Sequence, residues 1–348
     1  MPVFLDREAT VAKACELIAE AGRNGASLAV FPEAFIPTYP DWVWAIPPSE
    51  GGMLSDLHAE LLANSVAIPS DVTDKLCDAA KKAKICVVMG VNERNVEASG
   101  SSLYNTLLYI GPDGKILGKH RKLVPTGPER LVWGQGDGST LGVFDLPFGR
   151  LGGLICWENY MPLARYAMYA WGTQIYVAPT WDRGERWLST LRHIAYEGGV
   201  YVIGVCMPMR LSDIPARYEF KKRFYDSERD WINVGDSVII DPGGVTLAGP
   251  AQEKEEILYA EIDAAGLSRR KWMLDVAGHY GRPDVFQLTV KNDPQPMVRF
   301  TGDAPRAASQ PAAPRGVTYR EPPSVIAQAI MGFSEVRHIQ PKRTRKRA

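Results

Sequence analysis

The sequence lacks the features that mark membrane-spanning, secreted and nucleic-acid-binding proteins. No apolar run reaches the ~18 residues that a membrane-spanning helix requires. The first residues, MPVFLDREAT, lack the basic and apolar regions of a signal peptide. Lys and Arg number 40, as do Asp and Glu, so the formal net charge is zero and does not indicate a nucleic-acid partner. We therefore expect a cytoplasmic protein with neither a membrane nor a nucleic acid as its partner.

Cysteine is also scarce, with five thiols in 348 residues. They are scattered singly at Cys15, Cys77, Cys86, Cys156 and Cys206, and no two have the spacing of metal ligands. An odd number of isolated cysteines is typical of reduced thiols in a cytoplasm and excludes a complete disulfide framework.

Helix-like and strand-like segments alternate along most of the chain. Apolar residues at helical spacing predict helices over residues 7–22, 70–83, 162–171 and 185–197. Short apolar runs predict strands over 27–31, 85–91, 104–110, 115–119, 174–178, 200–206 and 257–262, and hairpins over 143–155 and 237–247. The alternation predicts an α/β fold with helices packed on sheets, and the hairpins indicate mixed sheets.

The composition changes near Asn292. Residues 294–323 are rich in proline, alanine and arginine and have little apolar periodicity, which indicates a tail without a packed core of its own. A basic cluster follows at 342–347, for which a solvated terminus is a simpler explanation than a binding motif. We therefore predict a domain over residues 1–291 and a tail over residues 292–348.

Three strand-like runs stop at a residue with reactive chemistry. Glu33 follows the run that ends at Pro32, Lys122 follows the run at 116–121, and Cys156 follows the run at 151–155. Ligand sites of α/β sheets lie at strand ends, so the three side chains are candidates for one site. Taken singly, each has an ordinary explanation: a core thiol, a favourable charge at a helix start and a solvated lysine.

Together, these residue types are sufficient for one class of reaction. A thiol at neutral pH is mostly protonated and needs a nearby base before it becomes a strong nucleophile. A carboxylate can accept that proton, and an ammonium can stabilise the negative charge that develops on the attacked group. The set predicts nucleophilic attack on the carbon of a nitrile or an amide.

Longer motifs around these residues resemble the nitrilase branch of the carbon–nitrogen hydrolase superfamily. The resemblance covers about residues 2–288, in the family's order. Its motifs are FPEAF at 31–35, HRKLVPT at 120–126, ER at 129–130, WGQGDG at 133–138, CWEN at 156–159, MPLAR at 161–165, APT at 178–180 and GHYGRPD at 278–284.

The resemblance implies a four-layer α-β-β-α sandwich and assigns roles to the reactive residues. Cys156 would be the nucleophile, Glu33 the general base and Lys122 the residue that stabilises the intermediate. Glu129 would position Lys122 and the attacking water. The main-chain N–H of Trp157 would be a second donor to the developing charge. No metal or organic cofactor is implied.

The implied reaction is hydrolysis of a small-molecule nitrile by water to a carboxylic acid and ammonia. Candidate substrate-binding residues are Tyr39, Trp157, Thr180 and Trp181, with Trp187 a weaker candidate for which a core position is as good an explanation. The segment 156–162 resembles plant-like and arylacetonitrile-type nitrilases more than those with His at the position of Asn159, and this resemblance implies arylaliphatic or broad nitriles. The alternatives are a nitrile-to-amide hydratase or an amidase of the same fold, and a catalytically inactive binding or scaffold protein.

Two further polar residues have simpler explanations than catalysis. His193 invites a cysteine–histidine interpretation, but it lies inside the predicted helix 185–197 with nothing to mark it as a base. We expect structural roles for His193 and for Asn105.

The resemblance also implies homodimers, and often larger spirals, that form through helices flanking the nucleophile with help from the tail. The segment 162–171 carries Tyr166, Met168, Tyr169 and Trp171 and is the candidate dimer surface. A core face within one chain is the alternative explanation of the same pattern.

One part of the family pattern is missing at the start of this sequence. Family members carry a strand, central in one sheet, ahead of the segment that matches residues 2–5. Without that strand we expect unpaired backbone groups and a gap in the core. The cost is large against a net stability of ~5–15 kcal/mol. Either the start codon was assigned too late or the protein compensates for the missing strand. Without compensation, a chain that begins at Met1 is expected to be poorly soluble or inactive.

Overall fold

The structure, a computed structural model, describes residues 1–228 and 230–297. Residues Met1–Met297 form one compact unit. Most of the predicted tail, including the basic cluster at 342–347, lies outside the described residues. Within the described part of the chain, no helix is long and apolar enough to cross a membrane.

The first part of the chain forms a four-stranded mixed sheet. Its strands are β1 (Leu28–Val30), β2 (Cys86–Arg94), β3 (Leu103–Ile110) and β4 (Ile116–Arg121), in that spatial order. β1 pairs parallel with β2, whereas β2 with β3 and β3 with β4 pair antiparallel. The helices of this part are α1 (Arg7–Arg23), α2 (Trp42–Ala45), α3 (Gly51–Ala63) and α4 (Asp71–Ala83).

The rest of the described chain forms a six-stranded mixed sheet. Its strands are β5 (Val143–Leu146), β6 (Gly149–Gly153), β7 (Ile175–Thr180), β8 (Tyr201–Cys206), β11 (Gly235–Ile240) and β12 (Thr246–Gln252), in the spatial order β12-β11-β8-β7-β6-β5. β6, β7 and β8 are mutually parallel, and the other neighbours pair antiparallel. A small ribbon pairs β9 (Met209–Arg210) with β10 (Trp231–Asn233). The helices are α5 (Pro162–Ala170), α6 (Glu185–Gly198), α7 (Glu219–Phe224) and α8 (Leu267–Lys271).

Side chains that bind exposed backbone N–H groups fix where the helices begin. The Asp6 carboxylate accepts the Ala9 N–H at 2.9 Å at the start of α1. Ser70 and Thr73 form a reciprocal capping box at the start of α4. Such caps contribute about 1 kcal/mol each.

Three apolar clusters join the helices and sheets. The first contains side chains of α1, α4 and the four-stranded sheet, such as Ile18 and Leu76. The second contains side chains of both sheets, such as Tyr109 and Val177. The third joins α5 and α6 to the six-stranded sheet around Leu191. Burying one large apolar side chain contributes about 1.5–3 kcal/mol, so the second cluster stabilises the contact between the two sheets.

The prediction of an α/β fold with mixed sheets is confirmed. The strand predicted over 257–262 is wrong, because that segment forms no strand in the structure. A short apolar run is not sufficient for a strand, which also needs a neighbouring backbone to pair with. The helix α3 was not predicted, since the glycine pair Gly51-Gly52 at its start is typical of a loop.

The segment that fails to form a strand lies beside a cavity. β1 is the edge strand of its sheet, and its other side has no strand partner within the described residues. A cavity of about 350 Å³ lies there, lined by residues 28–32 and residues 254–259, among others. The gap in the core that we expect from the sequence stays a prediction, as does poor solubility or inactivity of the chain.

Candidate active site

Four side chains meet in one buried cluster at strand ends of both sheets. Glu33 lies shortly after β1, Lys122 directly follows β4, and Cys156 begins a short 3₁₀ helix after β6. Glu129 lies in a second 3₁₀ helix, Gly127–Leu131. Carboxylate oxygens of Glu33 and Glu129 and the Sγ of Cys156 lie within 4.8 Å of one another, and all four side chains are buried. The structure thus brings together the residues for which the sequence predicted catalytic roles.

The Lys122 ammonium lies between two carboxylates. Its Nζ donates to Glu33 Oε1 at 2.8 Å and to Glu129 Oε2 at 2.7 Å. Burial alone would lower the pKa of Lys122, but the negative charges of Glu33 and Glu129 raise that pKa above its usual value. Lys122 therefore keeps its positive charge beside the thiol.

Glu33 has one occupied carboxylate oxygen and one free oxygen. Oε1 accepts hydrogen bonds from Lys122 Nζ at 2.8 Å and from Asn105 Nδ2 at 2.7 Å. Oε2 is buried and has no hydrogen-bond partner within the described residues. Burial raises the pKa of Glu33 to about 7, with Lys122 opposing the shift and the charge of Glu129 adding to it. Near neutral pH, Glu33 can therefore offer a free carboxylate oxygen to a proton.

Glu129, by contrast, has hydrogen bonds on both oxygens. Oε1 accepts from the Tyr39 hydroxyl at 2.7 Å. Oε2 accepts from Lys122 Nζ and from the Thr126 N–H, each at 2.7 Å. These bonds fix the position of Glu129 and leave it without a free oxygen. The geometry suits Glu129 to holding Lys122 in place, and Glu33 to accepting a proton.

The nucleophile candidate has a strained backbone. Cys156 has a φ of +52°, in the left-handed region. A non-glycine residue there costs about 1–3 kcal/mol and persists only where its surroundings enforce the conformation. The cysteine thus lies on a turn that other residues must hold.

The thiol of Cys156 carries its proton at rest. Its Sγ accepts a hydrogen bond from Thr180 Oγ1 at 3.1 Å. Burial raises the pKa of Cys156 far above its usual range, the charge of Glu33 adds to this effect, and Lys122 opposes it. Attack by the sulfur therefore needs a base that removes the proton during the reaction.

The reactivity of Cys156 should rise with pH around neutrality. Since Glu33 accepts the thiol proton only when it is ionised, alkylation of Cys156 by iodoacetamide should accelerate from about pH 5 to about pH 8. The midpoint should lie near the Glu33 pKa of about 7. Peptide mapping separates the Cys156 adduct from those of the other four thiols. A rate that stays flat or falls over this range would contradict the role of Glu33 as the base.

A small aromatic cavity lies over the sulfur. Its volume is about 250 Å³, and Tyr39, Trp44, Trp157 and Trp181 line it together with Cys156. The rings of Tyr39 and Trp181 are stacked, with centroids 4.6 Å apart and planes 10° apart. Three of the four candidate substrate-binding residues therefore line this cavity, and the fourth, Thr180, contacts the Sγ.

Of three other residues considered in the sequence, only Asn105 belongs to the site. Trp187 is fully buried in the apolar cluster of α6 and does not line the cavity. His193 lies on the surface of α6, paired with Glu197 at 2.9 Å. Asn105 is part of the site, because it donates to Glu33. The signal that could have found Asn105 is the hairpin register, which pairs Thr106 with Arg121 and so sets Asn105 opposite Lys122.

The same cluster contains residue types that bind metal ions. The donor atoms of Glu33, Glu129 and Cys156 lie close enough to share one ion. However, Lys122 Nζ donates to both carboxylates and occupies the space between them. A cation placed there would be repelled by the ammonium. Lys122 instead neutralises one of the two carboxylate charges.

Comparison with known proteins identifies the family of this fold and site. Residues 1–271 match the family model described as carbon-nitrogen hydrolase. The chain belongs to the carbon–nitrogen hydrolase family. Relatives place it further, in the nitrilase branch of that superfamily.

The relatives match over most of both chains. Nitrilase 2 of Arabidopsis thaliana is 42% identical over 313 residues, which cover 88% of this chain and 90% of that protein. A bifunctional nitrilase/nitrile hydratase of Lupinus angustifolius, NIT4A, is 43% identical over 307 residues, or 86% of each chain. Among solved structures, Nit3 of Saccharomyces cerevisiae, a member of branch 10 of the nitrilase superfamily, superposes with a TM-score of 0.61. That match has 23% identity, covers 80% of this chain and 92% of Nit3, and supports the fold alone.

Proposed function

We propose that this protein hydrolyses an organic nitrile to its carboxylic acid and ammonia through the thiol of Cys156. One observation carries the proposal. The Sγ lies in a buried cluster with a base that has a free oxygen, Glu33, and a charged donor, Lys122. The names of relatives at about 42% identity support a nitrile as the substrate.

The first step forms a carbon–sulfur bond. Oε2 of Glu33 accepts the thiol proton while the Sγ of Cys156 adds to the nitrile carbon. Glu33 passes this proton on to the nitrile nitrogen and returns to its carboxylate form, and the product is a thioimidate bound to the enzyme. Lys122 and the Trp157 main-chain N–H stabilise the negative charge that develops on the nitrogen.

The later steps consume two water molecules. Glu33 removes a proton from the first water, with Glu129 holding Lys122 in place, and the oxygen adds to the thioimidate carbon. The carbon–nitrogen bond of this tetrahedral intermediate breaks and ammonia leaves with a proton from the site. The thioester that remains is cleaved by a second water, which releases the acid and returns the thiol.

A second product is possible at the tetrahedral intermediate. If the carbon–sulfur bond breaks instead of the carbon–nitrogen bond, the product is the amide. The bifunctional relative from Lupinus angustifolius, named for both nitrilase and nitrile hydratase activity, supports this alternative.

The cavity supports a substrate with a single aromatic ring. Its volume of about 250 Å³ is below the ~300–1,000 Å³ of typical ligand sites. Aromatic side chains form much of its wall, and aromatic rings pack favourably on one another. We therefore favour arylaliphatic nitriles, in which a short linker places the cyano carbon at the Sγ.

Three structural features belong to the same proposal. The apolar clusters described above are taken as the three interfaces of a four-layer α-β-β-α sandwich, within a hydrolase domain of residues 1–291. The protein assembles as a homodimer or a larger spiral. Met168 and Tyr169 of the predicted surface are buried in the chain's own core, so the exposed Leu163 and Tyr160 are the better candidates for contact with a second copy.

The substrate is best identified by ammonia release. Phenylacetonitrile, mandelonitrile, benzonitrile and an aliphatic dinitrile form the test set, and the mass of each product separates acid from amide. We expect the highest kcat/KM for phenylacetonitrile or mandelonitrile and an acid as the main product. Amide as the main product would favour the hydratase alternative. Turnover of amides alone, or of nothing in the set, would reject the proposal.

A further inference from the structure

Glu158 is a buried carboxylate that the mechanism does not use. It lies two residues after the nucleophile, and 1% of it is exposed. One oxygen accepts the Leu123 N–H at 2.5 Å, and the other accepts the Ile155 N–H at 2.8 Å. His120 Nε2 lies 3.0 Å from the second oxygen and completes the set of partners.

The partners of Glu158 flank the two reactive residues. Ile155 immediately precedes Cys156, and Leu123 immediately follows Lys122. Cys156 is carried by the six-stranded sheet and Lys122 by the four-stranded sheet. A single carboxylate therefore ties the backbone beside the nucleophile to the backbone beside the ammonium.

The backbone turn at Cys156 is strained, with a φ of +52°, and therefore needs hydrogen bonds that hold it in this conformation. A second side chain also braces the turn: Asn159 Nδ2 donates to the carbonyls of Leu154 at 3.1 Å and Cys156 at 2.8 Å. The Tyr176 hydroxyl holds Asn159 in turn. These bonds stay within the half of the site that carries Cys156. Glu158, in contrast, also binds the backbone next to Lys122, through the Leu123 N–H.

The contacts of this position suit an ionised carboxylate. Each oxygen accepts one backbone N–H, and the Nε2–H tautomer of His120 adds a third donor. Burial would raise the pKa of Glu158, but His120 and the N–H groups of Leu123 and Ile155 together lower it below its usual value. A glutamine would turn its NH₂ group towards one of these donors and lose that bond.

We propose that Glu158, held by His120, is a positioning residue that sets the separation between the Sγ of Cys156 and the Nζ of Lys122. This inference rests on the proposed function, because it assigns to Lys122 the charge stabilisation that the separation serves. Glu158 contacts neither substrate nor reacting atoms in this account. It acts through the two backbones that it joins.

The test compares Glu158→Gln with a matched control, Glu93→Gln. Glu93 is equally buried and pairs with Lys119 and Arg121, and it makes no hydrogen bond to Cys156 or Lys122 within the described residues. We expect Glu158→Gln to lower kcat about 100-fold with little change in KM, since a displacement near 1 Å costs about that factor. Glu93→Gln should lower the melting temperature and leave kcat unchanged.

Alkylation of Cys156 by iodoacetamide provides a readout that needs no nitrile. Its rate should fall in Glu158→Gln, stay normal in Glu93→Gln and recover in part in Glu158→Asp, which keeps both oxygens and the charge. If Glu158→Gln does not fold, Glu158→Asp carries the test, with intermediate losses of kcat and alkylation rate. Losing thermal stability while keeping both rates per folded site would overturn the proposal. If the nitrile assay fails in the unaltered protein but the alkylation pattern holds, only the proposed function fails.

Discussion

Replacing Cys156 with alanine should abolish ammonia release from nitriles. The variant keeps the fold but has no atom that can bond to the nitrile carbon. Loss of a nucleophile lowers kcat by about 10⁴-fold or more, because the remaining groups cannot form the covalent intermediate. Initial rates of ammonia release, with circular dichroism to verify folding, provide the measurement.

Cys86→Ala is the matched control for that variant. Cys86 is also a buried thiol, but it lies in β2, within the four-stranded sheet and outside the cluster. Removing it should cost on the order of 1 kcal/mol of stability and leave the rate unchanged. Ammonia release that persists in Cys156→Ala, or that disappears in Cys86→Ala, would contradict the assignment of Cys156 as the nucleophile.

Lys122→Met should impair both catalysis and folding. The ammonium is the buried counter-charge of Glu33 and Glu129, so its loss leaves two carboxylates close together in a dry site. Breaking a buried ion pair by removing one partner costs about 3–5 kcal/mol. Losing one donor to the developing charge lowers kcat by about 10²–10³-fold. Denaturant unfolding and rates per folded site separate the two effects.

Lys115→Met is the control for Lys122→Met. Lys115 lies in the turn that precedes β4, the strand that Lys122 follows, and its side chain is 81% exposed. We expect a change in stability within about 0.5 kcal/mol and a normal rate. If Lys122→Met were as stable and as active as Lys115→Met, the ammonium would have no role in the site.

The sequence was sufficient to predict the alternation of helices and strands and the mixed character of the sheets. It was sufficient because local periodicity and turn residues decide those features. It was insufficient for the segment 257–262, where the apolar run suits a strand but no strand within the described residues pairs with it. Pairing depends on residues far away in the chain, which a local pattern does not contain.

The candidate site likewise has residues that local motifs predict and others whose role depends on distant parts of the chain. Glu33, Lys122, Glu129 and Cys156 stood out because their chemistry and their motifs are visible in the sequence. Asn105 did not, since its role depends on the cross-strand partner that the hairpin register gives it. The sequence also could not predict that Glu33 has a free carboxylate oxygen whereas Glu129 has none. Both residues are glutamates, and only the hydrogen bonds in the folded protein distinguish them.

The most direct test of the account is the mass of the peptide that contains Cys156 after the enzyme is quenched with acid during turnover of a nitrile. We predict that this peptide carries one of the two covalent intermediates. As the thioimidate it gains the mass of the whole nitrile, and as the thioester it carries the acyl group in place of the thiol hydrogen. The same peptide from Cys156→Ala should be unmodified. An adduct on a different residue, or full turnover with modification-free Cys156 at every quench time, would contradict the account.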